Sequence, residues 1–308
     1  MSKNRVETLI ILIFLCFAIT VGCGQKGMQN SRQSSTKISA GQVVNSMESP
    51  IAEANVAVSP TTISPVVTNT PTPKSEAGLQ KSSTTSGLDS NSGILKGKTI
   101  CIDPGHQAKA NYEPEQIAPN TSITKEKMSY GTTGVATGIP EYKLNLAVSL
   151  KLKRELEKKG AKVVMTRETN EVNTGNIERA KMANGSKSEL VIRIHADGIE
   201  DSSVRGMSVL YPGGKYISDK KMLANSKLAA EKILKAMVTS TGAVNRGIVE
   251  RNDLTGFNWS TIPVILVEMG FMTNEAEDKL LNTQEYQDKV VSGIIKGIED
   301  YYNNVAGN

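Results

Sequence analysis

Only two histidines occur in the 308-residue chain, and each directly follows a short apolar run. His106 comes after Ile-Cys-Ile-Asp-Pro-Gly, and His195 closes the run Leu190 to Ile194. Imidazole is a favoured zinc ligand, and a catalytic zinc takes three protein ligands while keeping one position open. If the two runs are adjacent strands of an open α/β sheet, both rings lie at the carboxyl edge, where such sheets bind ligands. Either ring alone reads better as a loop residue with a local hydrogen bond; the equivalent placement of the chain's only two histidines favours a metal.

A third ligand should be a carboxylate at the same edge, and Glu141 is the best placed. It follows Pro140, ahead of Leu144, Val148, Leu152 and Leu156, which recur every four residues. That spacing makes an apolar helical stripe facing a sheet, and positions 144, 145 and 148 share the face of Glu141. Glu beside Pro at a helix start also suits the helix dipole with no metal involved, and spacing alone leaves the two readings level.

Glu268 ends the run Pro263 to Val267, which has the continuous apolar character of a strand covered on both faces. A carboxylate there is costly unless it is paired or does chemistry. Beside a zinc-activated water it would take a proton and later hand it to a leaving amine; capping the next turn is the plainer alternative. Arg167, ending Ala161 to Arg167, would add positive charge at the rim for a substrate carboxylate or carbonyl, or pair with Glu168 or Glu178.

Positioning these groups requires alternating elements. Strands are expected at 98–103, 161–167, 189–195, 207–212 and 262–270, and helices at 140–159, 176–184, 219–240, 274–281 and 283–302. The alternation predicts an α/β fold: a single three-layer domain over 95–308, with a mostly parallel twisted sheet flanked by helices. Residues 107–139, rich in Gly, Thr and Pro, read as a long functional loop or lid.

Ahead of the domain, Lys3 and Arg5 precede an uncharged stretch from Leu9 to Gly22. It is shorter than the roughly twenty residues that span a bilayer and has the layout of a secretory signal over 1–23. Thr20-Val21-Gly22-Cys23 resembles a bacterial lipobox, which would leave Cys23 to carry lipid and attach the protein to a membrane; plain secretion and an uncleaved anchor are the alternatives. All three place the domain outside the cytoplasm. Residues 24–94 lack Phe, Trp and Tyr and are rich in Ser, Thr and Pro, the composition of a disordered tether.

With 4% aromatic residues and a net charge of +5, dedicated nucleic-acid binding is disfavoured. Cys101 is the one cysteine in the body of the chain, so no disulfide framework forms there. No G-x-S-x-G, P-loop or G-x-G-x-x-G motif occurs.

At these residues the chain resembles the zinc-dependent N-acetylmuramoyl-L-alanine amidases of bacterial cell walls, the amidase_3 group. The likeness runs from about Lys96 to Tyr302 through IDPGH (102–106), the helix and strand of 140–167, ERAKMAN (178–184), IRIHADG (192–198), NRGI (245–248) and VEMGFMTNEAEDKLL (267–281). It implies His106, Glu141 and His195 as ligands of Zn2+, and Glu268 as general base and acid. The implied reaction is hydrolysis of the amide joining the lactyl group of N-acetylmuramic acid to L-Ala in peptidoglycan. Two departures stand out: Gln107-Ala108 replaces the usual Gly-Gly, and Asp197 replaces the Asn of His-Ala-Asn. Other readings of the residues are a zinc peptidase or deacetylase acting on another wall bond, and a non-catalytic peptidoglycan-binding lipoprotein. The need for an activator protein stays open, and nothing demands more than a monomer.

Overall fold

Ile100, Cys101 and Ile102 are wholly enclosed, the burial expected of a strand covered on both faces. In the computed structural model, which describes residues 93–306, they form β1 (Thr99–Pro104). After it come the hairpin β2 (Asn111–Gln116) and β3 (Thr124–Met128), α1 (Glu141–Lys158), β4 (Lys162–Met165), α2 (Asn176–Gly185) and β5 (Leu190–Asp197). The second half runs β6 (Met207–Pro212), α3 (Lys220–Thr241), β7 (Asn245–Arg251), α4 (Thr255–Asn258), β8 (Val264–Phe271), α5 (Glu275–Leu281) and α6 (Gln284–Ala306).

Six strands form one sheet in the order β4-β1-β5-β8-β6-β7. Every pairing is parallel except β6 with β8, so the sheet is mostly parallel, as expected. Apolar side chains of α1, α3 and α6 cover one face, and those of α2 and α4 help cover the other. The result is three layers. β1 and β5 are adjacent and parallel, which brings the loop after the first and the end of the second to one edge.

Local sequence sets the ends of α1. Pro140 caps its start in extended geometry, φ −64° and ψ 142°. At the other end Gly160 takes φ +84°, a left-handed turn that glycine adopts without strain. Its N–H bonds the Glu157 carbonyl and the Ala161 N–H bonds that of Leu156, closing the helix as a Schellman motif does.

Residues 107–139 depart from expectation. They hold the antiparallel hairpin β2–β3, fastened at several points. Ile117, Ala118 and Met128 are buried. Asn258 Nδ2 donates to the Ile117 carbonyl at 2.9 Å and Trp259 Nε1 to that of Gln116 at 2.9 Å. The enclosed Asp278 of α5 accepts the N–H groups of Ala136 and Thr137 at 2.8 and 2.7 Å. This segment is a docked wall, not an open loop. β7 is a further strand beyond the expected set. Signal segment, Cys23 and most of the tether lie outside the described residues. Among the described residues, no helix is long and apolar enough to cross a membrane.

α3 and α6 approach closely because two glycines of α6 leave room. A Cβ on Gly293 would come within 2.6 Å of the Met237 Cα, and one on Gly297 would strike the Ile233 backbone. Neither neighbour is the loose end of a side chain, so replacing Gly297 by Val should force the helices apart. The expected cost is about 1–3 kcal/mol, seen as a lower melting temperature; a variant that melts with the wild type would contradict this packing.

Candidate active site

His106 leaves β1 in a left-handed conformation, φ 59°, uncommon for a non-glycine residue. Its carbonyl accepts from Arg179 Nη2 at 3.1 Å. Its Nδ1 lies 3.0 Å from the Ser129 carbonyl, which can only accept, so Nδ1 donates there. Its Nε2 is 3.2 Å from Glu141 Oε2, and His195 Nδ1 is 3.2 Å from Glu141 Oε1. The two imidazoles meet edge to face, their centroids 4.8 Å apart. Glu141 is the first residue of α1 and is 3% exposed. Its oxygens also accept the Thr132 N–H at 3.0 Å, the Ala196 N–H at 3.2 Å and Asn145 Nδ2 at 2.9 Å.

One ligand atom from each of His106, Glu141 and His195 falls within 4.8 Å of the others. Burial works to raise the Glu141 pKa, but hydrogen bonds from His106 and His195 outweigh it and hold the group well below the usual carboxylate range. Burial pushes His195 down to about 4, against the opposing pull of Glu141, so its ring is neutral near pH 7. His195 Nε2 is buried and has no hydrogen-bond partner. Such an orphan is costly, and a cation is a partner of the right kind. Glycines shape the surroundings: a Cβ on Gly105 would strike the His195 ring, and one on Gly131 would come within 2.6 Å of Glu141 Oε2. Two imidazoles, a carboxylate and an orphaned ring nitrogen fit a divalent metal such as zinc.

Glu268 sits on β8 directly opposite His195 of β5. Its Oε2 is buried without a partner. Burial, then the charges of Glu141 and Asp197, push its pKa well above the usual value. Asp197, on the same rim, is also raised, by burial first.

A second set of buried polar groups supports this edge, and the sequence reading did not single it out. Asp103 lies between Arg179 Nη1 at 2.9 Å and Arg193 Nε at 2.8 Å. Burial opposes ionisation of Asp103, yet the two guanidinium groups and Thr166 hold its pKa below the ordinary value. Arg193 Nη2 donates to Asn176 Oδ1 at 2.7 Å. Gln107 is fully buried, donating to the Lys109 carbonyl at 2.9 Å and accepting from Arg179 Nη2 at 3.1 Å. Asp103, Arg179 and Arg193 all fall inside the runs IDPGH, ERAKMAN and IRIHADG; for Asp103 and Arg193, charge inside an apolar strand was the available signal.

Arg167 is placed differently from expectation. It is 3% exposed. Its five N–H groups go to the carbonyls of Pro104, Gly105, Tyr142 and Thr169 and to Asn170 Oδ1, at 2.9–3.1 Å. No donor is left for a substrate, and no ion pair with Glu168 or Glu178 forms. Arg167 ties the His106 loop to α1.

Two clefts flank the histidines. One, of about 510 Å³, is lined by His106, Glu141, His195, Asp197, Glu268 and residues of 112–132. The other, of about 440 Å³, extends from the same histidines past Lys125, Asn176, Asp253 and Thr255. A larger cleft of about 720 Å³ between α1 and α6 holds none of these groups.

This arrangement, two strand-end histidines and a helix-start glutamate beside a second buried glutamate, sits within residues 100–300, which match the family model Amidase_3, N-acetylmuramoyl-L-alanine amidase. The chain belongs to that family. It is 30% identical over 225 residues to the germination-specific N-acetylmuramoyl-L-alanine amidase of Bacillus subtilis, covering 68% of this chain and 81% of that one. It is 26% identical over 212 residues to the N-acetylmuramoyl-L-alanine amidase Rv3717 of Mycobacterium tuberculosis, covering 67% and 87%. The fold is similar to the crystal structure of the amidase Ami1 from Mycobacterium smegmatis, with a TM-score of 0.62 and 25% identity over 68% of this chain and 99% of that one. Family membership makes the chain an enzyme of the N-acetylmuramoyl-L-alanine amidase class, with peptidoglycan as substrate.

In this amidase Arg167 is structural, which separates its variants from those of a binding residue. Arg167→Ala strands several buried carbonyls and should cost about 2–4 kcal/mol. Chemical denaturation should show an earlier midpoint while KM of the residual folded enzyme is unchanged; a raised KM with unaltered stability would restore the substrate contact.

Proposed function

We propose that the amidase is zinc-dependent, that His106, Glu141 and His195 hold the metal, and that Glu268 is its general base and acid. The observation that carries this reading is the cluster of three ligand atoms within 4.8 Å of one another, with Glu268 opposite His195. Bound there, Zn2+ would supply Lewis acidity, polarising the amide carbonyl and acidifying water.

The chain's own groups do the rest. Ser129 fixes the His106 ring through Nδ1, and three N–H donors orient the Glu141 carboxylate. Burial, then the charges of Glu141 and Asp197, raise the proton affinity of Glu268, and positive charge held at the triad would favour its carboxylate form. In that form it takes a proton from the attacking water. It then returns the proton to the L-Ala nitrogen as the C–N bond breaks, leaving the lactyl acid on the sugar and a free amine on the peptide.

Outside the described residues, the reading includes a signal over 1–23, a tether over 24–94 and lipid on Cys23 that would hold the domain in the cell envelope. The cell-wall amidases among its relatives support an extracytoplasmic place of action. A monomer suffices for the site. The CwlD amidase of Clostridioides difficile, 26% identical with a TM-score of 0.52, was solved in complex with the GerS lipoprotein, which supports an accessory protein for this chain as well.

Glu268→Ala should keep one equivalent of zinc by elemental analysis while cleavage of peptidoglycan falls about 10²- to 10⁴-fold; retained activity would remove Glu268 from its role. His195→Ala should lose both metal and activity. Chelation should abolish, and added zinc restore, the release of new L-Ala amino termini read by mass spectrometry. Release that survives thorough chelation would overturn the metal dependence.

A further inference from the structure

Among the described residues only two aromatic rings stand exposed, Tyr112 at 70% and Tyr130 at 37%. Both line the cleft that contains His106, Glu141, His195 and Glu268. Exposed rings carry a hydrophobic cost that burial against a ligand recovers, and these two occupy one place.

Tyr130 is fixed to the metal site by its neighbours in sequence. The Ser129 carbonyl accepts from His106 Nδ1, Gly131 lies so close that a Cβ there would strike Glu141 and His106, and the Thr132 N–H donates to Glu141 Oε2. The Tyr130 ring itself packs edge to face on Tyr142, 5.4 Å between centroids at 78°, and Tyr142 is the residue after Glu141. Any movement of this ring relative to the triad is thus restricted, so a group stacked on it is held at a set distance from the metal ligands. Tyr112 faces the same cleft from the docked hairpin, and the Glu126 carboxylate lies between the two clefts, lining both.

The opposite cleft has a different chemistry. Lys125 pairs with Asp253 at 3.0 Å, and Asp253 also holds Arg251; Asn176 and Thr255 add hydrogen-bonding groups. A substrate of this amidase class is correspondingly two-sided, with a peptide bearing carboxylates on one side of the scissile bond and a pyranose ring on the other. A pyranose has an apolar face of C–H groups and a polar rim of hydroxyls. Tyrosine rings match that face, and their O–H groups together with Glu126 match the rim.

We propose that Tyr112 and Tyr130 form a glycan platform on which the sugar bearing the scissile lactyl amide stacks, while the stem peptide lies along the charged cleft. The proposal rests on the amidase reading above, and two experiments separate their fates. In the first, the full-length zinc-loaded protein is given a disaccharide muropeptide and a lactyl-L-Ala peptide that lacks the sugar. In Tyr112→Ala and Tyr130→Ala, the preference in kcat/KM for the sugar-bearing substrate should shrink about tenfold, the scale of one aromatic contact. Tyr130→Phe should keep most of it. Equal slowing of both substrates, or no change in preference, overturns the platform.

The second experiment reads binding without cleavage, by calorimetric titration of the full chain with peptide-free glycan strands. Wild type should bind, and Tyr112→Ala should bind at least severalfold more weakly; Tyr112 is exposed enough that its loss leaves the fold intact should Tyr130→Ala misfold. Glycan binding indifferent to both tyrosines, or tyrosine variants that lose free stem peptide instead, overturns the proposal. A wild type that binds glycan through these rings but frees no L-Ala amino termini upholds the platform and removes the amidase reading alone.

Discussion

One carboxylate holds the active edge together. Glu141, at the first position of α1, is nearly sealed from solvent and accepts hydrogen bonds from Thr132, Asn145 and Ala196 while touching both histidines. Those partners come from the segment after the hairpin, from α1 itself and from β5. An unpaired buried carboxylate would cost several kcal/mol, so each of these segments is constrained to the position that satisfies it. The two positive-φ or close-packed backbone sites nearby, His106 and Gly105, follow from the same requirement: the chain must turn sharply off β1 to present one ring and make room for the other.

Beneath that layer lies a buried ionic cluster whose role is placement. Asp103, Arg179, Arg193 and Arg167 are each at most 6% exposed, a placement that an apolar core of equal volume would match or better in stability. What the charges supply is direction. Arg179 and Arg167 between them hold the carbonyls of Pro104, Gly105 and His106, fixing a left-handed turn that would otherwise be strained. Gln107 joins the same cluster through Arg179. It therefore adds a fastener to the loop, and the docked hairpin that follows begins from a fixed point.

The parts of this design that were readable in the sequence are those with a long apolar signature. β1, β5 and β8 are enclosed on both faces, so continuous apolar runs marked them, and the histidines and Glu268 at their ends stood out as polar exceptions. Glu141 emerged from a helical period of apolar residues, although spacing alone left it level with a plain helix-start glutamate; the hydrogen bonds of its carboxylate to β5 are long-range and have no local trace. The hairpin was hidden for the opposite reason. Asn-Tyr-Glu-Pro-Glu-Gln and Thr-Lys-Glu-Lys-Met are charged, and the first contains a proline, so propensity argues against strands. They pair because Glu115 caps α2 through the N–H groups of Asn176 and Ile177 and because Ile117, Ala118 and Met128 are buried. β7 is an edge strand with charged ends and a glycine at φ +84°, equally quiet in sequence. Arg167 misled because an arginine at a strand end looks alike whether it faces substrate or carbonyl oxygens.

The chemistry depends on two carboxylates driven in opposite directions by one neighbourhood. Burial would raise both. Glu141 is pulled down by the donors and rings around it, whereas Glu268 faces the negative charge of Glu141 and Asp197 and has one oxygen with no donor at all. Such a split matches the proposed roles: a carboxylate with a lowered pKa suits a ligand, and one with a raised proton affinity suits an acid and base. Asp197 deepens the split by adding its charge on the side of Glu268. Proton affinity at Glu268 is then set by burial and two flanking carboxylates, against any positive charge held at the triad. That balance makes the His106, Glu141 and His195 cluster and Glu268 a single electrostatic unit rather than two neighbouring devices.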